Sequence, residues 1–311
     1  MNDTLKHQIA HRSIRHFKDE PLAEATRQSL VDVMQQTATS HGLQASSVLH
    51  MTTAWKKKQL AEIGQQAYIA KVPELYIFLV DTRRLYQLAQ DQGFAGGYAR
   101  SMDFFFRAYT DACLMAQNLM TAVEALGLGA VFLGCIQNDP FKTIDVLELP
   151  ELTFPVLGVA LGEPTDRSAK KPRLPKTVRF YQDTVMPTKD LKAEIAKYDQ
   201  TMQDYYENRA VNPKTSTYTG LVQKQLTHVL PIRAQVLKAV EQQGFKLLPQ
   251  KMSVGKKTKR SAQPGRPPRV LPRRLQPPRG LGQQNPRQNA NLSGPSPVDK
   301  YQAKRGLGLA F

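Results

Sequence analysis

Apolar positions along this chain recur with two periods, and the switches between them outline its elements. Leu22, Ala25, Leu30, Val33 and Met34 fall at helical spacing and predict a helix over residues 21–36, after a shorter one over residues 2–10. Residues 37–47 are rich in hydroxyls and broken by Gly42, so they read as a loop leading into a strand over residues 48–52. The continuous apolar run LYIFLV, residues 75–80, is bounded by Pro73 and Asp81 and predicts a buried strand. Ala108, Ala112, Met115, Leu119, Ala122, Val123 and Leu126 then hold the 3.6-residue period, predicting a long central helix over residues 105–126 with Gly127 beyond its end. Two further strands are expected over residues 130–136 and 155–161, with a helix over residues 141–147 between them. A stripe of Leu191, Ile195, Tyr198, Met202 and Tyr205 predicts a helix over residues 191–206, and a last helix is expected over residues 220–243. The pattern is mixed α/β, without internal repeats.

Composition sharpens this outline. The chain has 311 residues, 41% of them hydrophobic, which is enough for a sizeable core. Its net charge of +17 suggests an anionic partner, but residues 251–311 hold 14 of the 43 Lys and Arg and a single acid, Asp299. The remainder carries 29 basic against 25 acidic residues, so the excess belongs mainly to a Pro- and Arg-rich tail that is expected to be disordered. A globular domain over residues 1–250 and this tail are the two predicted units. The tail offers Tyr301 and Phe311 as its aromatics, so nucleic-acid binding is unfavoured except through its scattered cations. Cys113 and Cys135 have no metal-ligand spacing, no apolar stretch suits a membrane span, and the N-terminus lacks a signal-peptide core. The expectation is a cytoplasmic protein with no metal.

Few stretches promise chemistry. The glycines from Gly127 to Gly134 run from a helix into a strand, the reverse of a dinucleotide fingerprint, and phosphate-loop, zincin and nucleophile-elbow motifs are missing. His11-Arg12-Ser13-Ile14-Arg15 packs two guanidinium groups, an imidazole and a hydroxyl into five residues, a set suited to a phosphate dianion. A second basic cluster, Lys170-Lys171-Pro172-Arg173, lies far along the chain. Taken singly each reads as a solvated loop; brought together by the fold they would make a mononucleotide phosphate site. His41 and His50 read as ordinary polar residues, Trp55 as a cap on local packing, and Cys135 as an unreactive small hydrophobe.

HRSIRHFKDEP near the N-terminus, GQQAYIAKVPE before a strand, MAQNLMTAVEALGLGAVFLG in the middle and KKPRLP after the last strand occur in this order. Together they resemble the nitroreductase superfamily, and within it the NADPH-dependent, FMN-containing oxygen-insensitive nitroreductases and flavin reductases. The resemblance runs from Met1 to about Leu248. It implies an α+β sandwich with a mostly antiparallel central sheet, and a homodimer whose C-terminal arms, residues 190–248, embrace the partner. FMN is then expected in two clefts at the dimer interface. Its phosphate would meet His11, Arg12, Ser13, Ile14 and Arg15 with Lys171, Pro172 and Arg173; its ribityl chain and ring would meet Thr39, Gln66, Phe132, Leu133, Gly134 and Cys135. Arg209 matches a basic residue that binds the NADPH phosphate in the family. Cys135 stands where the family has a glycine, and Thr39-Ser40-His41-Gly42 replaces a serine-rich loop. The implied activity is two-electron ping-pong reduction of nitroaromatics, quinones or free flavin through flavin N5, with no catalytic protein side chain required. The alternatives are an FMN-storage protein with little turnover and a tail-mediated binder of anionic surfaces.

Overall fold

Strand β2 (Glu74–Asp81) is the middle of the molecule, and all eight of its residues are buried. Successive side chains on a strand point to opposite faces, and here both faces are covered. Tyr76, Phe78 and Val80 enter one hydrophobic core, while Leu75, Ile77 and Leu79 enter another. That is why the sequence shows an uninterrupted apolar run instead of an alternation. The computed structural model describes residues 1–185, 189–208 and 216–247, and all of these belong to one compact unit, Met1–Gly255.

The sheet has the order β1-β2-β4-β3, with β1 (Ser46–His50), β3 (Gly129–Leu133) and β4 (Thr153–Gly162) joined by antiparallel pairings throughout. A bulge between Phe78 and Leu79 leaves Val156 as the extra residue of β4, beside Pro155, which has no N–H to give. On one face lie α2 (Glu24–Gln35) and the 24-residue α5 (Met102–Ala125); on the other lie α3 (Ala54–Gly64) and α6 (Pro140–Leu147). Ala108, Ala112 and Ala116 of α5 are fully buried, so the helix lies close over the sheet. α1 (Asp3–Ile9) docks on the end of α5, and α4 (Arg83–Asp91) follows β2 at the surface.

Three sequence expectations need correction. The strand expected over residues 130–136 ends at Leu133 and passes into a 3-10 turn, Gly134–Asn138, because Gln137 Nε2 donates to Pro155 O and Val156 O at 2.6 and 2.9 Å and folds the chain over β4. The helix expected over residues 220–243 is two, α8 (Tyr218–Thr227) and α9 (Val236–Gln242), since Pro231 removes a donor and bars the helical conformation before it. Trp55 stands in the first turn of α3, 54% exposed, with Lys56 Nζ 5.4 Å from its ring centre. The strand expected over residues 48–52 begins two residues earlier, where Ser47 Oγ donates to Asp81 Oδ2 at 2.6 Å. α7 (Leu191–Glu207) lies where the apolar stripe places it. The expected boundary at residue 250 and the basic tail lie outside the described residues.

The chain before α2 is fastened to the open edge of the sheet. Ile14 N donates to Ala130 O at 2.9 Å, Lys18 N to Glu163 O at 2.9 Å, and Thr165 N to His16 O at 3.1 Å. A Cβ on Gly129 would lie 2.8 Å from Ile14 Cβ, so only glycine lets the two backbones approach this closely. Gly129→Ala should therefore push the Ile14 segment off β3 at a cost of about 1–3 kcal/mol. A lower thermal midpoint is the expected result, and an unchanged midpoint would show that the contact is not a structural constraint.

Candidate functional site

α1 ends at Ile9, and the chain then runs without helix through His11 to His16. Ile14 is 4% exposed, packed inward on Gly129, while its neighbours Ser13 and Arg15 stay accessible. One buried aliphatic side chain thus turns the polar residues on either side of it outward. This explains why HRSIR has no amphipathic helical pattern: its apolar member is an anchor and its polar members form a rim.

The opposing wall comes from the loop after β4. Arg12 Nη1 donates to Ser168 O at 3.2 Å, linking the two segments directly. α7 supports the loop from behind: Tyr198 Oη donates to Pro172 O at 3.0 Å, Tyr205 Oη to Ala169 O at 3.3 Å, and Lys171 Nζ lies 5.6 Å from the centre of the Tyr206 ring. Burial pushes the Tyr198 phenol above its usual pKa, with Arg173 opposing the shift, so it stays protonated as the donor. Between the walls is a cavity of about 170 Å³ lined by His11, Arg12, Ser13, Arg15, Lys171 and Arg173, with Ser168, Ala169, Tyr205 and Tyr206 closing it. No carboxylate lines it among the described residues. Four permanent cations converging without a counter-charge make a strong site for an anion, and the guanidinium forks suit a phosphate.

At one margin of this cavity Tyr68 approaches Arg15. Burial pushes the Tyr68 phenol upward, and Arg15 opposes the shift by its charge and by a side-chain hydrogen bond. Cys135 lies in the same neighbourhood and fills the space against helix α3, where a Cβ on Gly64 would be 2.8 Å from its Sγ. Burial raises the Cys135 thiol above its ordinary pKa, which agrees with the inert role read from the sequence. Arg233 Nη1 donates to Gly134 O at 2.9 Å and Asn138 Oδ1 at 3.0 Å, so the segment before α9 fixes the turn that ends β3.

Six of the residues singled out in the sequence therefore meet: His11, Arg12, Ser13, Arg15, Lys171 and Arg173. Ile14 and Pro172 support the cavity without lining it. Phe132, 37% exposed, and Gly134 are accessible at the end of β3, whereas Leu133 is core at 1%. Gln66 is half-buried at the start of the turn that carries Tyr68. Thr39 lies elsewhere within the chain: its Oγ1 donates to Asp111 Oδ2 at 2.5 Å and accepts from Gln44 N at 2.9 Å, beside a separate 120 Å³ cavity. Arg209 lies outside the described residues. Tyr68 and Arg233 were missed by sequence reasoning; Tyr68 belongs to the quoted GQQAYI stretch, but nothing in the spacing marks either one.

The family model described as Nitroreductase family matches residues 9–163, and the one described as Nitroreductase family, C-terminal domain, matches residues 171–248. An FMN reductase (NADPH) of Bacillus subtilis is 34% identical over 71% of this chain and 90% of its own length. An oxygen-insensitive NADPH nitroreductase of Salmonella typhimurium is 32% identical over 79% of this chain and 99% of its own. Among solved structures, B. megaterium NfrA2 superposes with a TM-score of 0.75 at 31% identity, over 80% of this chain and 100% of that one. A Vibrio harveyi NADPH:FMN oxidoreductase complexed with NAD+ gives 0.70 at 29% identity, over 78% and 99%.

The tyrosine support of the cavity is open to test. Tyr198→Phe removes one hydrogen bond to Pro172 O and should weaken binding of a phosphate monoester by about three- to tenfold, for a bond of roughly 0.5–1.5 kcal/mol. Calorimetric titration of both proteins would measure it, and equal affinities would mean that α7 does not set the loop.

Proposed function

The chain belongs to the nitroreductase family, and on that premise we propose that it is an FMN-dependent oxidoreductase taking electrons from NADPH and passing them in pairs to flat aromatic acceptors. The observation that carries this reading is the convergence of the two sequence-distant basic segments on one acid-free cavity. Bound FMN would supply reversible hydride transfer at its N5 atom. The chain's own residues do the rest. Arg12, Arg15, Lys171 and Arg173 hold the phosphate, Ser13 adds a hydroxyl, and the Tyr68 phenol stands beside Arg15. Gln66 and the accessible end of β3, Phe132 to Cys135, flank the ribityl chain and ring, and Arg233 holds that turn by its bond to Gly134 O. The exposed cations raise affinity for a reduced, anionic flavin as well as for its phosphate.

A homodimer belongs to this reading. α8 has no buried residue, and Leu226, Val229, Leu230, Ile232 and Leu237 are exposed along the stretch from its last turn into α9. Apolar side chains in such number on one arm call for a covering surface, and a second copy supplies it. Thr39, remote from the phosphate cavity of its own chain, would then serve the flavin of the partner. Arg209 is assigned to the NADPH phosphate on the strength of the family resemblance; nitroaromatics, quinones and free flavins are the proposed acceptors.

The test is the visible spectrum of the purified protein before and after NADPH is added without air. Flavin bands that bleach support the reading, bands that persist favour storage of FMN, and a protein that stays colourless with added FMN overturns it. Arg12→Ala should lower FMN affinity about tenfold or more, through loss of charge-assisted hydrogen bonds. Arg209→Ala should raise the NADPH KM and leave flavin content unchanged, and unaltered NADPH kinetics would remove that assignment.

A further inference from the structure

Among the cavity-lining residues, His11 has a carboxylate behind its ring. Its Nδ1 lies 2.6 Å from Glu124 Oε1, and Glu124 is only 14% exposed near the end of α5. A carboxylate accepts, so Nδ1 carries the hydrogen, and Nε2 is the ring atom left to face the phosphate cavity. There it donates when the ring is protonated, or accepts from the hydroxyl of a monoanionic phosphate. Glu124 takes no part in that cavity itself. It lines a second one of about 420 Å³ on the other side of the ring, which His11 borders as well. His11 and Arg173 border both spaces, and Glu124 meets the first through its bond to His11. A further bond from α1, between His7 Nδ1 and Glu124 O at 2.9 Å, fixes the same turn of α5 against the chain that leads into His11.

We propose that Glu124 is a positioning residue for the phosphate site, fixing the tautomer and direction of His11 so that Nε2 meets the phosphate. This rests on the reading of the cavity as the FMN phosphate site. An imidazole without such a partner can turn about its χ2 angle and present either nitrogen or a carbon edge, and much of its benefit to the ligand is lost. A carboxylate so near an anion site would otherwise only repel the ligand, so its place behind the ring is explained by the ring.

The experiment uses riboflavin, which lacks the phosphate, as the control. Dissociation constants of FMN and riboflavin are measured by flavin fluorescence for the wild type and for Glu124→Ala, Glu124→Gln, His11→Ala and His11→Ala/Glu124→Ala. Glu124→Ala should weaken FMN about tenfold and leave riboflavin unchanged. Glu124→Gln, whose amide oxygen still accepts from Nδ1, should restore FMN affinity to within about threefold of the wild type. The double variant should bind FMN no worse than His11→Ala, because the two residues act as one unit. An FMN constant unmoved by Glu124→Ala, an equal loss of riboflavin, or additive losses in the double variant would each overturn the positioning role. A wild type that binds riboflavin as well as FMN would overturn the phosphate reading of the cavity, and this inference with it.

Discussion

The basic cavity depends on Ile14 lying against Gly129. The edge strand β3 has one open side, and the N-terminal segment occupies it through a single backbone bond to Ala130 O and a side chain that fits only where β3 has no Cβ. With Ile14 held there, Ser13 and Arg15 face away from the core, and Arg12 comes within reach of Ser168 O. The constraint is steric before it is electrostatic. An unanchored loop would let its cations spread into water, where mutual repulsion and side-chain entropy both favour separation.

Holding those cations close costs Coulomb energy, and the fold offsets it without neutralising them. Arg12 spends Nε and Nη1 on the carbonyls of Ala10 and Ser168, and Arg173 spends Nη1 on Lys171 O. Carbonyl partners fix geometry while leaving the full charge available to a ligand; carboxylates would fix it and cancel the charge. Acids are engaged with other partners: Glu163 pairs with Lys18 at 2.5 Å, buried Glu74 takes Arg27 and His50, and Glu124 meets His11 from outside the cavity lining. The positive site is therefore kept by the placement of the negative residues as much as of the positive ones.

The C-terminal portion has two characters. α7 packs by way of Tyr198, Met202 and Tyr206 and braces the basic loop, and α9 returns to the core through Ala239 and Val240, with Gln243 Nε2 donating to Pro150 O and Thr153 O at 3.1 and 2.9 Å. Between them α8 is held to α7 by Asp199, which accepts from Thr219 N and Oγ1 at 2.8 and 2.6 Å, and by Tyr218 and Leu221 packed on the Tyr198 cluster. Beyond that contact its last turn leaves Leu226 exposed.

Sequence alone determined the parts whose signal is local. Both long inner strands were legible because burial on two faces demands an unbroken apolar run, and α5 because burial along one face demands the 3.6 period. HRSIR and KKPR stood out as compact clusters of cations, although each taken singly reads as a solvated loop. α3 and α4 left weak traces: α3 carries four buried residues amid lysines, and α4 carries none. Only the tertiary structure decided that the two basic clusters meet, that Ile14 anchors while its neighbours line, and that Tyr68 stands beside Arg15, Arg233 at the turn after β3 and Glu124 behind His11. These depend on contacts across more than 50 residues of chain, and such long-range pairings have no signature in the local order of the side chains.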